Sequence, residues 1–173
     1  MLTVNKHLPC ARGLAPALVR RAATVSLDWD TRSKSRFDAH DGAGRHIAVF
    51  LPRGTGLRGG DMLVAEDGSM IRVEAAPQAV LQVRACPAHG TATDLPRAAY
   101  HLGNRHVQLE VQADCLQFEP DPVLGDMLRR MHLIVTEAQA PFEPEAGAYG
   151  EGGEHGHAHH HDHAHGHAHG HAH

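Results

Sequence analysis

The sequence predicts an α+β chain in three parts. An all-β N-terminal domain spans residues 1–76, a ferredoxin-like βαββαβ domain 77–140, and a Pro/Gly/Glu-rich linker with a disordered histidine-rich tail 141–173. Three observations carry this reading. Apolar and polar residues alternate over much of residues 1–75, the pattern of half-buried strands. Beyond Pro77 two segments with helix signals interrupt the strands. After Ala140 periodicity ends, and histidine soon dominates.

The N-terminal part reads as strands from the start, because "MLTVNKHL" alternates from the first residue. "TVSLDWD" (24–30) sets Val25, Leu27 and Trp29 against polar neighbours. "SRFDAHDGAGRHIAVFLPRG" holds two runs around "DGAG" (41–44), a hairpin signal. "MLVAEDGSMIRVEA" repeats it around Asp67-Gly68, a turn dipeptide. "GTGLRGGD" (54–61) is a glycine-rich loop. It lacks the lysine–serine/threonine end of a phosphate-binding loop and reads as a connection between strands.

"EAAPQ" (74–78) marks the boundary. "AVLQVRA" (79–85) is a strand, and "TDLPRAAYHLGN" (93–104) a helix with a Thr or Asp cap and a Gly103-Asn104 end. "HVQLEVQ" (106–112) and "CLQFE" (115–119) are strands. "DPVLGDMLRRM" (121–131) has Asp121 as N-cap, Pro122 at the first helical position, and Val123, Met127 and Met131 at helical spacing. "LIVTEAQ" (133–139) closes as a strand. The order βαββαβ is that of two helices on one antiparallel sheet. In "PFEPEAGAYGEGGE" (141–154) and the histidines behind it, too few apolar side chains remain to offset the entropy of ordering the backbone.

Composition narrows the function. The chain is 42% hydrophobic but only 4% aromatic, so its core is built from aliphatic side chains. A net charge of −4 gives no electrostatic reason to bind nucleic acid or an anionic membrane, and no apolar run reaches the length of a membrane span. Cys10, Cys86 and Cys115 are odd in number and far apart. They indicate neither a disulfide framework nor a zinc–thiolate site, and they point to a reducing, cytoplasmic setting. Residues 6–25 carry four basic residues and no acid, as a transit peptide would, but Pro9 and Pro16 argue against a targeting helix.

The chain has eighteen histidines, eleven of them between His155 and His173. Neutral imidazole suits nickel, copper and zinc. An extended His-x-His places two rings on one side, so His155, His157, His159, His161, His163, His165, His167, His169, His171 and His173 are all candidate ligands. Such a tail concentrates metal without choosing one. An engineered tag would be an unbroken run, whereas here histidine alternates with Ala, Gly and one Asp. His7, His40, His46 and His132 read as ordinary surface or hydrogen-bonded residues. Cys86 and His89 could form a metal pair or a nucleophile with its base, but no further local ligand supports either reading. "YHLGNRH" (100–106) is more suggestive, with His101 in the last turn of a helix and His106 at the start of the next strand.

Those residues resemble the UreE family, the nickel metallochaperones of urease assembly. "YHLGNRHVQLEV" (100–111) is similar to the family's metal-site motif, and "PFEPEAGAYG" (141–150) to its signature before a histidine-rich tail. "LPRGTGLRGGDML" (51–63) and "EDGSMIRVEA" (66–75) are similar to its N-terminal domain. The resemblance implies a peptide-binding type of N-terminal domain and a homodimer, and leaves a metal-linked dimer of dimers open. It also implies work with the urease accessory GTPase complex to deliver Ni2+ to apo-urease. His106 matches the histidine that shares a nickel with its symmetry mate, and His101 matches one of structural or accessory role. Some members carry a further His-x-His before the second long helix. This chain has Pro120-Asp121-Pro122 there, so that site is absent or reduced to Asp121.

Three rivals remain in view. A nickel or zinc buffer explains the tail but leaves the N-terminal domain idle. An RNA-binding module shares the βαββαβ order but would need strand aromatics, which "VQLEV" and "LQVRA" lack. An enzyme would need a triad, a carboxylate pair or a three-ligand zinc motif, and none is recognisable.

Overall fold

Strand β1 (Leu2–Leu8) pairs in parallel with β4 (His46–Phe50) and antiparallel with β5 (Met62–Ala65) in the computed structural model, which describes residues 1–146. With β2 (Ala23–Leu27), β3 (Arg36–His40) and β6 (Met70–Ala75) it forms a six-stranded sheet of order β2-β6-β5-β1-β4-β3. Val4, Val25, Ile47, Val49, Leu63 and Ile71 make its aliphatic core. Both expected hairpins form. In the β3–β4 turn the Asp41 carboxylate accepts N–H bonds from Ala43 and Arg45, and Gly44 takes the positive φ of 76°. In the β5–β6 turn Asp67 accepts from Ser69 N–H, and Gly68 has φ 83°.

The N-terminal part is not purely β. A 3₁₀ turn (Pro9–Ala11) and helices α1 (Pro16–Arg21) and α2 (Trp29–Arg32) interrupt it. Pro16 opens α1 rather than barring a helix, since a first-turn proline needs no N–H partner. Trp29 does not lie on a strand: the Asp28 carboxylate accepts the Thr31 N–H at 2.9 Å and caps α2 after β2 ends at Leu27.

The second sheet joins β7 (Pro77–Arg84), β8 (Glu110–Val111), β9 (Leu116–Phe118) and β10 (Ile134–Pro141) in the order β10-β7-β9-β8, every neighbouring pair antiparallel. Helix α3 (Asp94–Gly103) links β7 to β8, and α4 (Pro122–Arg130) links β9 to β10. Their apolar faces bring Ala98, Leu102 and Leu128 against Leu81, Val83, Leu116 and Phe118. Asp121 caps α4 as expected, accepting the N–H groups of Val123 and Leu124. The strand expected over 106–112 shrinks to two residues. Val107 and Leu109 do pack on the core, so their alternation reports burial rather than ladder pairing.

Pro141 to Glu145, assigned to a linker by composition, is packed. Phe142 is fully buried, and its carbonyl accepts a bond from Arg32 Nη2. Arg32 is itself fully buried. Its Nε donates to Leu27 O, and its Nη1 to Leu57 O and to Glu143 Oε1 at 2.8 Å. Burial holds the Arg32 pKa below its ordinary value, with the Glu143 carboxylate opposing that shift, and the guanidinium stays charged. Glu143 also accepts from Gly59 N–H and from Arg58. The Trp29 ring lies 5.3 Å from the Arg32 guanidinium carbon and 5.1 Å from that of Arg58, with Phe142 edge-on at 6.3 Å. On the other side Glu143 N–H donates to Glu110 and Glu145 N–H to Leu109 O. This strap therefore ties the first sheet to β8.

Candidate metal centre

Helix α3 ends late. Gly103 and Asn104, expected to reverse the chain, stay right-handed, and the left-handed residue is His106 at φ 57°. Val107 N–H donates to Leu102 O at 3.2 Å and His106 N–H to Gly103 O at 2.9 Å, so the last turn closes around His106. Histidine tolerates this conformation better than most side chains, but at a cost of about 1 kcal/mol relative to an ordinary backbone. The geometry sets His106 at the surface, exposed, ahead of β8. It lines a cavity of about 450 Å3 with Arg105, Gln108, Glu119, Asp121 and Leu124. Asp121 caps α4 through Oδ1 while it lines this cavity.

His101 lies one turn back on α3, half-buried, with the Tyr100 ring edge-on at 5.5 Å. Its carbonyl accepts from the Arg105 guanidinium, which steadies the turn leading to His106. Among the described residues no three His, Cys, Asp or Glu side chains stand together as a ready ligand set. The candidate ligands His155, His157, His159, His161, His163, His165, His167, His169, His171 and His173 lie outside the described residues.

The other sulfur and imidazole groups differ in character. Cys115 is fully buried, and burial pushes its thiol pKa up. Cys86 Sγ stands 3.8 Å from His89 Nδ1. A hydrogen bond with that ring, then backbone bonds from Ala88 and His89, hold the Cys86 thiol below its ordinary range. Cys86 and His89 share a second cavity, of about 380 Å3, with Asp94 and His132. His132, read from sequence as an ordinary surface residue, is exposed but also left-handed, at φ 63°. One signal could have flagged it: in "RHV" and "MHL" alike, a histidine follows a helix and precedes an apolar residue.

Comparison with known proteins decides the family. Residues 4–76 match the UreE urease accessory protein N-terminal domain, and residues 78–173 match the UreE C-terminal domain. The chain belongs to the UreE family of urease accessory proteins. It is similar to the urease accessory protein UreE of Methylibium petroleiphilum, with 71% identity over 90% of this chain and 72% of that one. The UreE of Paracidovorax citrulli is 69% identical over 88% of this chain and 73% of its own length, and that of Albidiferax ferrireducens 63% over 91% and 90%. Agreement across both domains makes this UreE relationship one of the whole architecture rather than of a single motif.

Proposed function

We propose that this UreE family member is a nickel metallochaperone, not an enzyme. It binds Ni2+ and passes it to apo-urease through the urease accessory GTPase complex in the cytoplasm. The observation that carries the reading is His106, an accessible imidazole at a left-handed helix end, in a chain whose two halves match UreE domains. One imidazole holds nickel poorly. A two-fold axis doubles it, and histidines of both tails add further ligands. Such an open site exchanges ligands readily, which suits a carrier that must give up its ion. We read the second domain as a ferredoxin-like sandwich, a rigid mount for His106. Its order β10-β7-β9-β8 with both helices inserted supports this. The N-terminal sheet is the partner-binding module. Nickel or zinc storage alone is the weaker reading, because it gives no use to the strap that fixes the N-terminal sheet to the metal domain.

The test is activation of apo-urease at limiting nickel with the accessory complex present. The natural sequence should raise activation, and His106→Ala should remove most of that gain while His7→Ala keeps it. Calorimetry of the same substitutions in chains ending at Gly150 should show the tightest nickel site lost in His106→Ala alone. An unchanged tight site there would move the nickel centre away from His106.

A further inference from the structure

We propose, on the reading of His106 as the nickel ligand, that Glu110 is a positioning residue for the nickel seat: its carboxylate fastens the strap to the chain behind His106 and so links that seat to the first sheet. Glu110 does not line the His106 cavity, so it acts through the backbone rather than on the ion. The chain behind His106 needs such a fastening. Strand pairing reaches only Glu110 and Val111, and Val107 to Leu109 lie outside the ladder. Val107 and Leu109 touch the core with their side chains, and Val107 N–H donates to Leu102 O at 3.2 Å. The left-handed region that His106 occupies is small, so the direction of its ring follows from how the chain is held on both sides. The helix end fixes one side. The strap fixes the other.

A row of polar side chains makes that second hold. Leu81, Val83, Leu116 and Phe118 face the helices, so Gln82 and Gln117, alternating with them, face the other side of the sheet, and Glu110 stands opposite Gln117. Gln82 Nε2 donates to Gln117 Oε1 at 2.7 Å. Gln117 Nε2 donates to Glu110 Oε2 at 3.0 Å and to Pro141 O at 3.1 Å. Gln117 is 1% exposed, and an amide so buried is costly unless both its ends are bonded, as they are here. Glu110 accepts from two further donors, Glu143 N–H at 2.7 Å on Oε2 and Gln112 Nε2 at 2.7 Å on Oε1. Three neutral donors, from β9, the strap and the turn after β8, thus converge on one carboxylate.

Glu143 joins the two halves. Its N–H is bound to Glu110, while its side chain accepts from Arg32 Nη1 and from Gly59 N–H, both at 2.8 Å, in the N-terminal part. Two residues on, Glu145 N–H donates to Leu109 O at 2.8 Å. A shift on the Arg32 side therefore reaches the chain behind His106 through one residue. A carrier needs a firm seat in transit and a looser one at delivery. A partner on the N-terminal sheet that binds better when the strap is free would loosen it.

Nickel transfer from the full chain to a chromogenic chelator tests this, with hydrogen exchange at the Val107 and Glu145 amides as a second readout. The release phase that His106→Ala removes reports the seat. Glu110→Ala should speed that phase and both amides at least fivefold. Glu110→Gln keeps an acceptor for Glu143 N–H and Gln117, and should bring all three rates to within twofold of the natural chain. Arg32→Met, acting from the far side of the strap, should speed them by a smaller factor. The β7 amides should stay protected in every variant, which marks local loosening rather than loss of the fold. If no release phase depends on His106, the nickel reading falls and the proposal with it. A His106-dependent phase left unchanged by Glu110→Ala sinks the positioning role alone. A Glu110→Gln chain as fast as Glu110→Ala would show that these bonds do not set the rate, and natural rates in Arg32→Met would cut the first sheet out of the linkage.

Discussion

Two residues show how single side chains set the local backbone. Burial would raise the Asp41 carboxyl, but hydrogen bonds from Arg45 and Ala43 and the Arg45 charge outweigh it and hold the pKa below the ordinary carboxylate range. A carboxyl depressed on folding stabilises above its unfolded pKa of about 3.9 and loses that contribution as pH falls through the lower folded value. Asp41→Asn should therefore lower urea stability at neutral pH, with the gap to the natural chain closing only in acid. A gap constant into strong acid would separate Asp41 from the titration. The second residue is His106. If its left-handed backbone is strained, His106→Gly should raise the unfolding free energy by up to about 1 kcal/mol while the tight nickel site proposed there is lost. A destabilised His106→Gly would show that the imidazole makes contacts that outweigh the strain. Motif and spacing made His106 legible as a candidate ligand. Its left-handed backbone was not, because Gly103 and Asn104, the residues that usually reverse a chain, lie within or beside a right-handed helix end.

At the level of elements, period and turn chemistry revealed both hairpins, the two long helices and most of the strands they connect, with the strand expected over 106–112 reduced to Glu110–Val111. They failed where one long-range contact decides the structure. "PFEPE" shows no periodicity, yet Phe142 and Glu143 are held by Arg32, more than a hundred residues earlier. Trp29 continued an alternating pattern, but local capping by Asp28 turned it into a helix whose ring covers Arg32. Arg32→Met should cost about 3 kcal/mol in urea unfolding, because it strands the Phe142 carbonyl and leaves Glu143 with Arg58 as its remaining cation. Glu143→Gln should cost less, about 1 kcal/mol, since the Glu143 side chain is 30% exposed and water replaces part of its bonding. In Arg32→Met the amide protons of Glu143 and Glu145, which hold the strap to Glu110 and Leu109, should exchange faster with solvent. Unchanged exchange would mean that the strap is fixed from the β8 side alone.

Over the whole molecule, on the proposed function, a rigid mount and a histidine-rich segment would divide the work of handling metal. Two folded parts, joined by the strap, hold His106 at the surface, and eleven histidines lie between residues 155 and 173 of the sequence. If the segment is a reservoir, a chain ending at Gly150 should keep its fold, keep the tight site proposed at His106, and bind fewer nickel ions per chain. Acid should separate the populations further. Imidazole binds metal only when neutral, and its ordinary pKa is about 6.5. The additional ions of the full chain should leave as pH falls through that value, driven by competition from protons at many independent rings. Equilibrium dialysis of both chains at pH 8 and pH 5 measures this. The full chain should hold clearly more nickel at pH 8, and the difference should collapse at pH 5. Equal nickel counts at pH 8 would remove the reservoir role, and a difference that persists at pH 5 would exclude imidazole as its main ligand.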